Sequence, residues 1–359
     1  MFKAIYNGSY ISRKNTGIGE VSLQLLKNLS EKEILFLNPT SPSSNHNIKI
    51  PSNLSPNSHQ FSHLRRLFWL QKNIPYLMKK YKAKLYISPL PEGPLFCNIS
   101  SIIICHDLIP LKFPKFSFLF FYYLIYVPLI LHNSKLVFCN SKSTAKDINK
   151  FYKVPQKKIK ILKLGFDKDK YFPKKLQRKK FFLCIGRHNK YKNLKRLLIA
   201  FKKFKNKEYK LIFIGPNDKR YTPFLKSYAL KLGINSNCQW KGWVSSEEKL
   251  RLLNSCTALI HISLFEGFGL PVLEGLACGT PIIASNISSI KEIIGNNGLL
   301  INPRKTEEIT ESFIKLTSDS LLREKLSQRG PILAAQYSWE KAAKDIESEK
   351  KNLVISNQE

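Results

Sequence analysis

The chain contains few acidic residues. Its 359 residues include 59 lysines and arginines but only 25 aspartates and glutamates, which gives a formal net charge of +34. The excess lies in residues 1–251, whereas residues 252–359 are close to neutral. Such an excess favours polyanionic partners, namely nucleic acid, an anionic membrane or phosphorylated substrates. Codon bias toward lysine and asparagine is the alternative explanation.

The chain also lacks signs of disulfides, structural zinc and a membrane span. Its seven cysteines are odd in number and form no CxxC pair, which indicates reduced, buried thiols in a cytosolic protein. The first residues lack the apolar core of a signal peptide. The longest apolar stretch, Phe116–Leu131, contains Pro128 and is shorter than the ~18–20 residues that span a bilayer.

Short apolar runs alternate with amphipathic ones along the chain, a pattern that predicts α/β structure with parallel sheets. Glycine, proline and charged residues interrupt this pattern at 162–173. We therefore predict two doubly wound domains, at residues 1–165 and 181–335, with a linker at 166–180. A C-terminal helix at 336–359 could cross back to the first domain. Residues 38–60, rich in serine, asparagine and proline, are predicted to form a loop.

The strongest motif is EGFGLPVLE, from Glu266 to Glu274, directly after a predicted strand. Ligands bind at the carboxyl ends of strands in α/β sheets. Gly267 and Gly269 allow close approach of the backbone, and a helix beginning at Leu270 would offer free N–H groups to a phosphate. Glu274, one turn further, could accept hydrogen bonds from sugar or ribose hydroxyls. The alternative is a glycine-rich turn followed by an exposed helical glutamate.

Three further segments carry candidate site residues. Arg187 and Lys192 follow a predicted strand and could neutralise a diphosphate, although basic residues are common in this chain. Gly17 and Gly19 precede a helix, but no acid follows at the spacing that a dinucleotide fingerprint needs, so NAD or FAD is not expected. His106 ends another strand, where it could contact a sugar or simply cap the core.

A literal DxD, Asp167 and Asp169, has a spacing that can hold a divalent metal against a diphosphate. It lies in the predicted linker and not at the end of a strand. We therefore interpret it as a decoy and expect no metal site.

Taken together, these segments resemble the family-4 glycosyltransferases, which are retaining enzymes with the GT-B fold of two facing Rossmann-like domains. The E-x7-E motif matches Glu266 and Glu274, and GFDKDKYFP (Gly165–Pro173) matches the interdomain GVDxxxFxP segment. Ile262-Ser263 stands where the family has Pro-Ser. Further matches are Gly186-Arg187 with Lys192-Asn193, FIG (Phe213–Gly215), KGWVSSEEKL (Lys241–Leu250), ACGTPII (Ala277–Ile283), HDLIPL (His106–Leu111), Gly17 with Gly19, and YSW (Tyr337–Trp339).

The resemblance implies a nucleoside-diphosphate sugar as co-substrate, with no cofactor and no metal. It also implies the roles of the site residues. Glu266, His106, Arg187 and Lys192 are the candidate catalytic residues, and the candidate donor-binding residues are Glu274, Gly17, Gly19, Phe268, Gly269 and Leu270. The subgroup that carries HDLIPL resembles bacterial enzymes of O-antigen and exopolysaccharide assembly, often mannosyltransferases, so GDP-mannose is a candidate donor.

The acceptor is expected to be a glycan or a lipid-linked sugar, and the enzyme is expected at the inner face of the cytoplasmic membrane. Residues 62–81 suit an interfacial helix because they combine basic and bulky apolar side chains: Arg65, Arg66, Lys72, Lys79 and Lys80 with Leu67, Phe68, Trp69, Leu70 and Tyr76. Phe116–Leu131 would add a second apolar surface unless it is buried. Two other functions stay open: another GT-B-type enzyme, such as an epimerase or a phosphorylase, and a basic nucleic-acid-binding protein.

Overall fold

The computed structural model describes residues 3–12, 17–30, 33–40, 44, 46–55 and 62–355. The chain divides into two units. The first comprises residues 1–165 and 338–359, and the second comprises residues 166–337. Each unit has its own parallel sheet and its own apolar core. The predicted fold class, two Rossmann-like domains, is confirmed.

The first unit is built on a seven-stranded sheet in the order β3-β2-β1-β4-β5-β6-β7, with every pair parallel. Its central strands are apolar on both faces, as expected for strands that helices cover on both sides. The strands are Ala4–Asn7 (β1), Ile34–Asn38 (β2), Asn47–Lys49 (β3), Leu85–Ser88 (β4), Ser101–Cys105 (β5), Leu136–Cys139 (β6) and Ile159–Ile161 (β7).

The two edge strands differ from the prediction. Asn47–Lys49 and a 3₁₀ turn at Ser52–Leu54 occupy part of the segment predicted as a loop, and residues 41–43, 45 and 56–60 of that segment lie outside the described residues. Ile159–Ile161 was not predicted either. Both edge strands have three residues and contain a lysine, so neither shows a long apolar run.

Helices cover this sheet, and one of them is continuous over residues 118–133. It consists of an α-helical turn, a π-helical segment at Tyr122–Tyr126 and a final α-helix that begins with Val127 and Pro128. The helices of the unit are Ile18–Asn28 (α1), Ser62–Lys80 (α2), Ile109–Lys112 (α3), Phe118–Phe121 (α4), Val127–Asn133 (α5) and Lys142–Tyr152 (α6). Among the described residues, no helix is long and apolar enough to cross a membrane.

A buried ion pair fixes helix α2 to the loop after β4. Arg66 is fully buried and donates from Nε and Nη2 to the two oxygens of Glu92, each at 2.6 Å, and from Nη1 to the Leu54 carbonyl at 2.8 Å. Burial would raise the pKa of Glu92, but the charge of Arg66 lowers it to about 2. The interpretation of Arg66 as a membrane-facing residue is therefore wrong, and Leu70 is buried as well.

The second unit has a six-stranded parallel sheet in the order β10-β9-β8-β11-β12-β13. Its strands coincide, to within two residues at each end, with the runs that the sequence predicts as strands, at 181–186, 209–215, 238–243, 257–262, 281–285 and 298–301. They are Lys179–Ile185 (β8), Lys210–Ile214 (β9), Cys238–Gly242 (β10), Cys256–His261 (β11), Ile282–Ser285 (β12) and Leu299–Ile301 (β13). The helices are Leu194–Phe204 (α7), Tyr221–Lys231 (α8), Ser246–Ser255 (α9), Leu270–Ala277 (α10), Ser288–Ile294 (α11), Thr306–Ser318 (α12) and Ser320–Ala334 (α13).

The final helix, Trp339–Ile355 (α14), belongs to the first unit, where it packs against α1. Lys350 is 2% exposed and donates to Glu33 Oε2 at 2.9 Å, and Lys3 contacts the other oxygen of Glu33. At the start of the helix the backbones of Gly165 and Trp339 are so close that a Cβ on Gly165 would lie 2.2 Å from the Trp339 nitrogen. Only glycine fits at position 165.

We predict that Arg66→Ala destabilises the first unit by about 3–5 kcal/mol, because it leaves the Glu92 carboxylate buried without its cation. Arg65→Ala, at the exposed neighbouring position, is the matched control and should change stability by less than about 0.5 kcal/mol. Urea unfolding followed by circular dichroism, with hydrogen exchange of β4 to report on this unit, measures both. Equal effects of the two substitutions would contradict the assigned role of the pair.

Candidate functional site

The candidate site of the second unit lies at the carboxyl edge of its sheet. Because all strands are parallel, the residues that follow β8, β9, β11 and β12 share this edge. Gly186, which follows β8, has φ +134°, and a Cβ there would lie 3.6 Å from Lys192 Cε. That distance is an ordinary contact, so it is the positive φ, which lets the chain turn away from the sheet, that favours glycine here.

Glu266 is the centre of a buried polar cluster at this edge. The Lys192 ammonium contacts Glu266 Oε1, and Ser263 Oγ donates to the same oxygen at 2.8 Å. His261 Nε2 lies 2.9 Å from it. The Lys192 and Glu266 side chains are only 14% and 11% exposed, so this ion pair is largely shielded from solvent.

The electrostatics of the cluster keep Glu266 ionised. Burial would raise the pKa of Glu266, but the charge of Lys192 and the contacts with Lys192 and His261 together hold that pKa well below its usual range. Burial lowers the pKa of His261 despite the nearby carboxylate. The ring is therefore neutral at pH 7, and Lys192 supplies the neutralising charge.

Arg187 differs from Lys192 because its side chain has no partner among the described residues. Its side chain is exposed and makes no hydrogen bond or ion pair in the part of the chain that the structure describes. With Lys192, His261 and Ser263 it lines a small open pocket whose wall also includes His188. An unpaired guanidinium beside a buried ammonium suits an anionic group with several oxygens.

The N-terminus of α10 presents backbone donors. Gly269, the cap residue, has φ +118°, and a Cβ there would lie 2.6 Å from Ile290 Cδ1. The N–H groups of Phe268, Gly269 and Leu270 have no acceptor among the described residues. The Phe268 ring is buried and packs on Tyr337 with ring centroids 6.0 Å apart, so only the backbone of Phe268 is available for binding.

Glu274 belongs to a second cluster. It lies within α10, and its Oε2 is 2.6 Å from the Nζ of Lys249, a residue of α9. Lys249 Nζ also donates to the Tyr171 hydroxyl at 3.0 Å. The structure therefore brings Arg187, Lys192 and Glu266 together. The charged partner of Glu274 is Lys249, which was not predicted as a site residue.

The remaining candidates lie in the first unit. His106 is buried, its Nε2 is 2.6 Å from the Pro89 carbonyl oxygen, and its Nδ1 is within hydrogen-bond distance of the Asn140 amide. Burial lowers the pKa of His106. The ring is therefore neutral at pH 7, and both of its nitrogens have partners within the protein.

The predicted glycine loop is shorter than expected. Gly17 is exposed with φ +47° and caps α1, whereas Gly19 is buried in the first turn of that helix. Thr16, which precedes them, lies outside the described residues. Only Gly17 of this pair keeps a loop conformation.

Five polar residues of these clusters were not predicted as site residues from the sequence: His188, Ser263, His261, Lys249 and Tyr171. His261 and Ser263 stand directly before the glutamate motif, which is the signal that could have identified them. Lys249 lies within KGWVSSEEKL and Tyr171 within GFDKDKYFP, but nothing local indicates that they meet Glu274, 25 and 103 residues away.

The described residues contain no group of three or more His, Cys, Asp or Glu side chains that could hold a metal ion. In the DxD, Asp167 pairs with Lys170 at 2.7 Å, and Asp169 is exposed. Lys170 therefore neutralises the Asp167 carboxylate within the same turn.

The second unit matches a known family. Residues 166–332 match the model of the glycosyl transferases group 1, so this unit is a group 1 glycosyltransferase domain. The O-antigen chain mannosyltransferase B of Escherichia coli is 27% identical over 58% of this chain and 58% of its own length. The O-antigen chain mannosyltransferase RfbU of Salmonella typhimurium is 27% identical over 87% of this chain and 90% of its own length.

Solved structures resemble the chain over nearly all of its length. Sucrose-phosphate synthase from Thermosynechococcus elongatus has a TM-score of 0.81 at 16% identity, covering 99% of this chain and 100% of its own. Anabaena HepE, solved in complex with UDP and glucose, has a TM-score of 0.77 at 16% identity, covering 97% and 99%. These likenesses confirm the GT-B fold class.

We predict that Lys192→Met destabilises the protein by about 3–5 kcal/mol at pH 8, because Glu266 keeps its burial but loses its cation. In the wild type the pKa of Glu266 is lowered by folding, so its contribution is present above the unfolded value and is lost as the pH falls. In the variant burial raises that pKa, so protonation stabilises the fold and the deficit shrinks at low pH.

Thermal denaturation at pH 8 and pH 5 measures the deficit. Lys203→Met, which removes the exposed pair with Glu307 in the same unit, is the control. A Lys192→Met deficit that is equal at both pH values would contradict the electrostatic assignment.

Proposed function

We propose that this glycosyltransferase moves a sugar, with retention of anomeric configuration, from a nucleoside-diphosphate sugar to a hydroxyl of a glycan or lipid-linked acceptor in surface polysaccharide synthesis. The observation that carries the proposal is the combination at one sheet edge of the unpaired Arg187, the Lys192–Glu266 pair and the free N–H groups at the start of α10. The names of the O-antigen relatives and the UDP and glucose bound to HepE support it.

Each group has a role in the proposed transfer. The anomeric C–O bond breaks and the diphosphate leaves with the electron pair. The acceptor oxygen bonds to the anomeric carbon and passes its proton to the departing diphosphate oxygen. Arg187, Lys192 and the N–H groups of Phe268–Leu270 stabilise the charge that develops on the diphosphate. Glu266 accepts hydrogen bonds from the sugar hydroxyls. His261 remains near Glu266 when Lys192 turns to the diphosphate.

The first unit contributes in this proposal through His106 and the Gly17/Gly19 segment. His106 contacts the donor sugar only if one of its two ring bonds is exchanged. The Asn140 amide, 3.0 Å from Nδ1, is the easier partner to replace than the Pro89 carbonyl at 2.6 Å. Gly17, exposed at the cap of α1, would present its backbone to the donor phosphate.

No metal takes part in the proposed reaction, since two cations already face the diphosphate site.

GDP-mannose is the first donor to test because the O-antigen relatives are named mannosyltransferases, but the UDP in HepE makes uridine donors equally worth testing. A thermal-shift screen with GDP-mannose, UDP-glucose, UDP-N-acetylglucosamine and dTDP-rhamnose separates them. The family match favours glycosyl transfer over epimerisation, phosphorolysis or nucleic-acid binding. Product analysis with and without an acceptor distinguishes transfer from epimerisation and phosphorolysis.

We predict that Arg187→Ala lowers the transfer rate by about 10²–10³-fold, as expected for loss of one preorganised charge contact. Its melting temperature should stay unchanged, because the side chain has no partner to lose in the part of the chain that the structure describes. Lys190→Ala, at an exposed position three residues away, is the control and should transfer like the wild type.

Assays run in EDTA should give the same rates, and Asp167→Ala combined with Asp169→Ala should keep most activity. Wild-type turnover in Arg187→Ala would contradict the site. Activity lost in EDTA and restored by manganese would contradict the metal-free proposal.

The same proposal places the enzyme at the cytoplasmic face of a membrane, through two neighbouring helical surfaces of the first unit. On α2, the exposed side chains at 65, 68, 72, 76 and 79 recur at helical spacing and alternate basic with aromatic residues. We call this set, Arg65, Phe68, Lys72, Tyr76 and Lys79, the basic face. Phe68 is 74% exposed, which is unusual for a large apolar side chain unless a partner covers it.

The second surface lies on the helix at residues 118–133. Phe118, Phe121, Ile125 and Leu129 lie at helical spacing and are all exposed, and we call them the apolar stripe. The two helices touch, because the His63 ring of α2 packs 5.3 Å from Phe118 and Gln71 donates to the Tyr126 hydroxyl at 3.2 Å. Apolar side chains beside cations suit the interface of an anionic bilayer.

We predict that the protein sediments with anionic vesicles at low salt and that high salt weakens binding. Each cation near an anionic leaflet contributes about 1 kcal/mol, so Arg65→Glu with Lys72→Glu should weaken binding by at least tenfold. Lys202→Glu with Lys205→Glu, the same charge change on the second unit, is the control. Absence of binding at low salt, or equal loss in both double variants, would contradict this surface.

A further inference from the structure

Glu274 is held by two side chains from outside its own helix. Lys249 Nζ lies 2.6 Å from Glu274 Oε2, and these side chains are 20% and 14% exposed. The Tyr171 ring lies under the ammonium, with Nζ 4.8 Å from its centroid, and the Tyr171 hydroxyl accepts from Nζ at 3.0 Å. Three residues that are far apart in the sequence thus form one compact group.

The protonation states of this group fix the direction of its hydrogen bonds. Burial would lower the pKa of Lys249, but Glu274 and Tyr171 raise it above its ordinary value, so the ammonium stays charged. Burial raises the pKa of Tyr171, and Glu274 raises it further. The phenol therefore keeps its proton, accepts from Lys249 and can donate to the carboxylate.

This arrangement limits the freedom of the Glu274 side chain. A glutamate on an exposed helix samples several rotamers, and fixing such a side chain on binding costs free energy. Here one carboxylate oxygen is already held by a cation on the protein. The ordering cost is met when the protein folds, so a ligand that bonds to this carboxylate finds it already oriented.

We infer that Lys249 and Tyr171 are positioning residues that hold Glu274 for the vicinal diol of a ribose, and so make the enzyme distinguish ribonucleotide from 2′-deoxyribonucleotide donors. The inference rests on the proposed function and on the expectation from the sequence that Glu274 accepts hydrogen bonds from ribose hydroxyls. Tyr171 occupies the phenylalanine position of the GVDxxxFxP pattern, so its hydroxyl is a feature that the pattern does not require.

The test is the ratio of affinities for a ribonucleoside diphosphate and its 2′-deoxy analogue. Titration calorimetry with GDP, UDP, dGDP and dUDP first identifies the base that the wild type prefers. A hydroxyl bonded to a carboxylate should then favour the ribonucleotide about tenfold. Lys249→Met should bring this ratio close to one while changing the affinity for the deoxy analogue by less than about twofold, and Lys249→Arg should restore part of it.

Two further variants separate positioning from folding. Tyr171→Phe keeps the ring and the fold and should reduce the ratio partly. In a Glu274→Gln background, Lys249→Met should not change the ratio further, because Lys249 acts through the carboxylate. Lys203→Met is the control and should behave like the wild type.

The outcomes that overturn the inference are distinct from failure of the proposed function. A wild type that binds both sugars equally, or variants that weaken both nucleotides equally, would refute the positioning role and leave glycosyl transfer intact. Preference for dTDP, which lacks the diol, would do the same. If none of GDP, UDP and dTDP binds the wild type, the proposed donor site itself is wrong.

Discussion

Removal of a carboxylate from water is the constraint on which this structure depends, and each of three shielded glutamates meets it with a dedicated cation. Glu92 has Arg66, Glu266 has Lys192 and Glu274 has Lys249. A fourth pair joins the buried Lys350 to Glu33, which is more exposed. A buried carboxylate without a partner costs several kcal/mol, so these pairs fix which helices and loops must meet. Because the chain has few acidic residues, each buried one indicates a place where a cation from another element must pack.

Two of the four pairs lie at the candidate site, and their environments differ. Glu266 meets its lysine, a serine hydroxyl and a histidine, and its lysine is also in position for an incoming diphosphate. Glu274 meets a lysine that is stacked on Tyr171. The first cation can be shared with a ligand, whereas the second is committed to the protein. In the proposed transfer, this difference suits the first glutamate to contacts that change during turnover and the second to fixed recognition.

Much of this was accessible from the sequence, because strand positions follow from apolar runs and the edge of the sheet follows from parallel order. Arg187, Lys192 and Glu266 could be grouped on that basis. The identity of the partners could not be, since Lys249 and Glu274 meet only through folding of separate helices. The assignment of Arg66 failed for a related reason: one position on α2 separates the exposed Arg65 from the buried Arg66, and the buried acid that attracts Arg66 is 26 residues away. Edge strands β3 and β7 were missed because their few residues include a lysine.

The return of α14 to the first unit has a consequence for biosynthesis. The second unit is one continuous segment and can complete its sheet as soon as residue 337 leaves the ribosome. The first unit has all seven strands much earlier, but it must wait for the helix that carries Lys350. During that interval Glu33 lacks its buried cation, and the surface of α1 that packs on α14 is uncovered. The nascent chain therefore passes through a stage in which its later-made unit is finished before its earlier-made one, and chaperones would meet that uncovered α1 surface.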